Sequence, residues 1–187
     1  MSDIDDLGFA PSRGQVAIMI TRRCNMTCTH CSVESGPKIG GTDPDEQELV
    51  RWVGMAAEAR VRTIRITGGE PMLQLDEVLV DALHQRGFRI AAESNGTLPV
   101  VAGLDWLCIS PKAGTEVVQR SGNELKLVWP QREIDLDALE SWDFDHFLIQ
   151  PMDCADREAA LAESIELVMT RPRWRLSIQA HKMVGLP

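Results

Sequence analysis

Short apolar runs recur seven times along this chain of 187 residues, and stretches of helical composition separate several of them. The runs are VAIMIT (16–21), VRTIRI (61–66), FRIAAE (88–93), WLCIS (106–110), ELKLVW (124–129), HFLIQP (146–151) and WRLSIQ (174–179). Each has the length and apolar density of a buried strand. Helices are expected over about 44–60, 75–87 and 155–170. For the first of these, Asp43 is read as the N-cap, Pro44 as the first helical residue and Glu46 as the return half of a capping box. Strands alternating with helices predict parallel β/α units with right-handed crossovers. A complete eightfold barrel usually needs at least about 200 residues. The expected fold is therefore α/β, an incomplete (partial) β/α barrel with parallel strands, forming one domain over 1–187.

In such folds chemistry gathers at the C-terminal ends of the strands. The polar motifs fall there: Thr67-Gly68-Gly69-Glu70-Pro71, Glu93-Ser94-Asn95-Gly96, Ser110-Pro111-Lys112 and Gln150-Pro151-Met152-Asp153. Their placement predicts one shared active site.

A formal charge of −9 argues against a nucleic-acid surface, which needs clustered Lys and Arg. Arg171, Arg173 and Arg175 are read as a solvated strand entry. No apolar run approaches the roughly 18 residues of a membrane span. The acidic N-terminus lacks the basic and apolar regions of a secretory signal. The expected location is the cytoplasm, with neither nucleic acid nor membrane as partner.

Three of the five cysteines fall within eight residues: Cys24-Asn25-Met26-Thr27-Cys28-Thr29-His30-Cys31. Close-spaced thiols in a cytosolic chain suggest a metal centre before a disulfide. Three thiolates can hold three irons of a four-iron cluster and leave the fourth open to a small molecule. Zinc is the rival, but a structural zinc site takes four protein ligands, and His30, beside Cys31, is awkwardly placed as the fourth. Cys108 reads as a small core residue and Cys154 as incidental. Lys112 and Lys126 read as surface charges.

The C-x3-C-x2-C spacing resembles the signature of the radical S-adenosylmethionine (SAM) superfamily, and Gly68-Gly69-Glu70 resembles its SAM-binding segment. The resemblance implies a four-iron, four-sulfur cluster on Cys24, Cys28 and Cys31. It also implies SAM chelated to the open iron and a 5′-deoxyadenosyl radical that takes hydrogen from the substrate. Gly68, Gly69 and Glu70 would receive the methionine amino group.

Taken in order, TGGEP, ESNG, ISPKAGTEVVQRSGNELKLVWPQ, HFLIQPMD and RWRLSIQAHKMVGLP resemble the 7-carboxy-7-deazaguanine synthase family from Thr67 to Pro187. That resemblance implies conversion of 6-carboxy-5,6,7,8-tetrahydropterin to 7-carboxy-7-deazaguanine with loss of ammonia, in the queuosine pathway. It implies a radical SAM lyase, usually a homodimer, assisted by magnesium and reduced by a donor such as flavodoxin or ferredoxin. Ser94 and Ser110 would hold SAM, with Gln150 near its adenosine. Glu93 and His181 would face the pterin as catalytic, substrate-binding groups, and the Pro187 carboxylate would wall the pocket.

Two stretches depart from the family. Pro-Ser-Arg-Gly-Gln stands where it has Gly-Glu-Gly. Ser32-Val33 follows Cys31 where it has Asp-Thr, whose threonine helps bind magnesium. Valine carries no side-chain oxygen for a hard cation. The alternatives are a repurposed radical SAM enzyme with another substrate and a non-enzymatic metal-binding module.

Overall fold

A computed structural model describes residues 14–28, 35–37 and 43–180. Seven strands form one sheet: β1 (Gln15–Thr21), β2 (Thr63–Gly68), β3 (Arg89–Ser94), β4 (Trp106–Ile109), β5 (Ser121–Trp129), β6 (Asp143–Pro151) and β7 (Trp174–Leu176). They lie side by side in chain order, with every pairing parallel. Among the described residues β1 and β7 are its edges, so the barrel is partial, as the run count predicts. Helices α1 (Glu46–Glu58), α2 (Glu77–Gln85), α3 (Leu136–Glu140) and α4 (Arg157–Thr170) lie in the crossovers. The chain passes from β3 to β4 and from β4 to β5 without a helix.

Alternation along each strand divides the sheet into two faces. Ile64 and Ile66, Ile90 and Ala92, Leu107 and Ile109, Leu125 and Leu127, and Phe147 and Ile149 are buried in two apolar clusters. Leu49, Trp52, Val53, Val80 and Leu83 from α1 and α2 cover the first cluster. Leu139 and Leu167 from α3 and α4 cover the second. The intervening positions (Arg65, Glu93, Cys108, Glu124, Lys126 and His146) face the concave side.

The start of α1 differs from expectation. Asp45 is the N-cap, its carboxylate accepting from Glu48 N at 2.8 Å. Asp43 is drawn away by Thr21, Arg23 and Gln74, whose donors converge on it. α3 was not expected, because five residues carry too little periodicity to register as a helix.

Candidate active site

The loop after β1 carries Cys24 and Cys28, both half-buried. Cys31 lies outside the described residues. Hydrogen bonds pin the loop at three points. The first is Asp43, at its far end. Asp43 Oδ1 accepts from Thr21 Oγ1 at 2.9 Å and Arg22 N at 3.2 Å, while Oδ2 accepts from Arg23 Nε and Gln74 Nε2, each at 2.6 Å. Arg23 also pairs with Oδ2 through Nη2. Burial works against this carboxylate's charge, yet the bonds from Thr21, Arg23 and Gln74 hold its pKa below the ordinary value.

The second point is the Gly-Gly turn. Gly68 has φ +98°, and a Cβ there would stand 2.6 Å from the Thr21 carbonyl oxygen. A Cβ on Gly69 would overlap the Arg23 carbonyl, 2.7 Å from its carbon. Only glycine admits that approach, and it lets Glu70 N donate to Arg23 O at 2.8 Å. The two glycines thus fit the turn against the cysteine loop itself, a partner that strand-end placement alone does not reveal.

The third point is the turn after β3. Asn95 Nδ2 donates to Asn25 Oδ1 at 3.0 Å and lies 3.9 Å from Cys24 Sγ. Asn25 Nδ2 donates to Thr97 Oγ1 at 2.7 Å, and Thr97 Oγ1 donates to Asn95 Oδ1 at 2.6 Å. Asn25, Asp43, Gln74 and Thr97 had not been expected at the site.

Glu70 lies deeper than its motif suggests, with no exposed surface. Its two oxygens accept from Met72 N at 3.0 Å and Asn95 N at 2.7 Å, tying the β2 rim to the β3 rim. Burial pushes its carboxyl up against the pull of those bonds. Ser94, also buried, accepts from Gly96 N at 3.0 Å. Its backbone oxygen accepts from Ser110 N at 2.8 Å, which brings those two residues together. Lys112 Nζ donates to Ser110 Oγ at 2.7 Å and Ser110 O at 3.0 Å; burial pulls this ammonium's pKa down. Gln131 Oε1 accepts from Ala113 N at 2.9 Å, and Gln131 Nε2 donates to Val128 O at 2.8 Å, fastening the loops after β4 and β5.

Gln150 stands at the C-terminal end of β6, opposite Val128. A cleft of about 490 Å³ opens between the cysteine loop and these segments, lined by Asn25, Cys28, Lys112, Thr115, Gln131 and Met152, among others. Glu93, one residue before Ser94, faces the concave side and pairs with Lys126. His181 and Pro187 lie outside the described residues.

Among the described residues no three His, Cys, Asp or Glu side chains could hold a metal ion. Cys24 and Cys28 offer two soft thiol donors on a clasped loop, with Cys31 the third thiol in the spacing. This donor set suits iron–sulfur chemistry better than a hard cation. Ser32 and Glu34, the oxygen donors nearest to the missing Asp-Thr, also lie outside the described residues. No described helix is long and apolar enough to cross a membrane.

A thiol loop on the rim of a parallel, partial β/α barrel, beside a Gly-Gly turn, defines a radical SAM protein. The family model described as "Radical SAM superfamily" matches residues 18–128. The superfamily's four-iron, four-sulfur cluster and SAM are the cofactors, and zinc is set aside. A 7-carboxy-7-deazaguanine synthase from Caulobacter vibrioides is 42% identical over 173 residues, covering 88% of this chain and 81% of the relative. One from Bordetella pertussis is 48% identical over 170 residues, with the same coverage of each chain. The crystal structure of QueE from Escherichia coli superposes with a TM-score of 0.62 at 25% identity, covering 87% of this chain and 85% of that one. This chain belongs to the 7-carboxy-7-deazaguanine synthase family of radical SAM enzymes. The similarity reaches well in front of Thr67, where the sequence resemblance began, because 88% of 187 residues cannot fit behind it.

Proposed function

We propose that this chain converts 6-carboxy-5,6,7,8-tetrahydropterin to 7-carboxy-7-deazaguanine, a ring contraction that releases ammonia on the way to queuosine and related deazapurines. The observation that carries the reading is 42–48% identity to synthases of that name across 88% of the chain. Substrate minus ammonia is product, so the reaction is redox-neutral and the hydrogen atom taken by the radical must be given back.

In this reading Cys24, Cys28 and Cys31 hold the cluster. Once bound there, the cluster and SAM supply the radical that begins the reaction. The backbone of Gly68 and Gly69 receives the amino group of SAM. Glu70 keeps that segment in shape from beneath, since its carboxylate is already engaged by Met72 and Asn95. Ser94, Ser110 and Gln150 hold the rest of SAM along the rim. Glu93 presents acceptor oxygens to the N–H groups of the pterin, and His181 and Pro187 complete its pocket. The chain acts as one radical SAM domain over 1–187, as a homodimer in the cytoplasm, with electrons from flavodoxin or ferredoxin and magnesium as an assisting ion.

A second reading, a repurposed family member acting on another substrate, is favoured by Ser32-Val33, which lacks the usual magnesium-binding threonine. One anaerobic assay separates the two. Reconstituted protein with SAM, reductant and the carboxypterin should yield carboxydeazaguanine by mass spectrometry. SAM cleavage without that product would overturn the first reading and leave the second.

A further inference from the structure

Lys126 reads as a surface charge in the sequence, yet its side chain is only 12% exposed and that of Glu93 only 27%. Glu93 is on β3 and Lys126 on β5, so β4 lies between them. Glu93 is in register with Cys108, and Cys108 with Glu124. Lys126, two residues beyond Glu124, leans back across β4 and places Nζ 2.7 Å from Glu93 Oε1.

We propose that Lys126 is a positioning residue for this reaction, its ammonium reaching across β4 to fix the Glu93 carboxylate as an acceptor facing the substrate. The inference rests on the reading that Glu93 meets the pterin. An ionised carboxylate accepts hydrogen bonds and donates none. Such a group matches the N–H-rich pyrimidine edge of a pterin, and a protonated one would present a donor where an acceptor is needed.

The surroundings make Lys126 the group responsible. Glu93 also faces Lys112 and Arg65, but each is engaged elsewhere. Lys112 donates to both oxygens of Ser110. Arg65 Nε donates to Gln15 at 2.7 Å once that amide is turned to present its oxygen. Lys126 in turn faces Cys108 and Glu124 besides Glu93. Burial opposes the charge of both partners. Lys126 nonetheless holds the Glu93 carboxyl below its usual range, and Glu93 holds the Lys126 ammonium above its own.

The test compares Glu93→Gln, Lys126→Met, Lys126→Arg and the double variant, each as cluster-reconstituted enzyme with the carboxypterin. Iron content and SAM affinity serve as controls. Lys126→Met should raise KM about tenfold, the order expected for losing a charge-assisted contact. It should also move the acid limb of kcat/KM up by about one pH unit, because Glu93 without its cation takes up a proton more readily. Lys126→Arg, which keeps the charge, should restore the limb. The double variant should be no worse than Glu93→Gln alone, since Lys126 acts through Glu93. Should Lys126→Met fail to fold, Lys126→Gln is measured in the same way. A Lys126 variant with unchanged KM and acid limb, beside a crippled Glu93→Gln, overturns the inference and spares the reading beneath it. A Glu93→Gln enzyme with unchanged KM and kcat overturns both.

Discussion

The two faces of the sheet do different work. The convex face is apolar: Ile64, Ile66, Ile90, Ile109, Leu125, Leu127 and Ile149 are all essentially without exposed surface. Each such side chain contributes about 1.5–3 kcal/mol by leaving water. The concave face carries Arg65, Glu93, Cys108, Glu124, Lys126 and His146, with Trp106 stacked on His146 at 5.7 Å. Those groups add little net stability, because each charge or dipole must be matched before burial is favourable at all. This protein keeps its folding energy and its chemistry on opposite sides of one backbone. Residues adjacent in sequence belong to different faces and should fail differently.

The largest effect should come from the convex face. Ile90→Ala deletes a fully buried side chain packed under α2, and we expect about 2–5 kcal/mol of destabilisation. Turnover per folded, cluster-loaded molecule should remain close to wild type. Denaturant titration of the reconstituted enzyme, followed by an activity assay at low temperature, measures both. A loss of catalysis without a loss of stability would erase the division between the faces.

The rim, where the faces meet, should give an intermediate result. In Asp43→Asn the side-chain oxygen can still accept from Thr21 and Arg22. The new NH2 can no longer accept from Arg23 or Gln74. The clasp is charge-assisted but Arg23 is 63% exposed, so solvent screening limits the cost to about 1 kcal/mol. The more telling readout is the cluster, which should be lost faster under oxygen or chelator while the sheet stays folded. Since Asp43 is held below its ordinary pKa, its stabilising effect is complete above about pH 4. It falls away progressively as the pH drops below that value and through the lowered folded one. Equal rates of cluster loss in variant and parent would show that Asp43 is not a clasp.

Much of this was legible beforehand, and the exceptions have a common cause. All seven strands follow from runs of apolar residues, and the rim motifs from their positions at strand ends. Local periodicity carries that information. The sequence points to Asp43 because Asp43 and Asp45 each have a glutamate three residues on, Glu46 and Glu48, and so satisfy the same local rule. The deciding partners, Thr21, Arg23 and Gln74, are more than 19 residues away in sequence. The Asn25–Asn95–Thr97 link is invisible for the same reason. Lys126 had a usable signal: Glu124 and Lys126 alternate with Leu125 and Leu127. In a parallel strand, normally apolar on both faces, charges at every second position mark a polar interior, not a surface.

Cys108 breaks the comparison most finely, because its sequence context, WLCIS, suggests the apolar core. It is only 6% exposed, yet it belongs to neither apolar cluster. Its thiol donates to Glu124 Oε1 at 3.3 Å, and burial, with Glu93 nearby, pushes its pKa well up. It is therefore a neutral spacer between two carboxylates, chemically quiet because thiolate formation there is so unfavourable. Cys108→Ala removes one weak donor and leaves Glu124 facing Lys126. We expect less than about 1 kcal/mol of destabilisation, with iron content and SAM cleavage unchanged. A residue of the apolar clusters would behave otherwise: its loss would open a cavity in close-packed surroundings, and the midpoint of unfolding would drop as it does for Ile90→Ala.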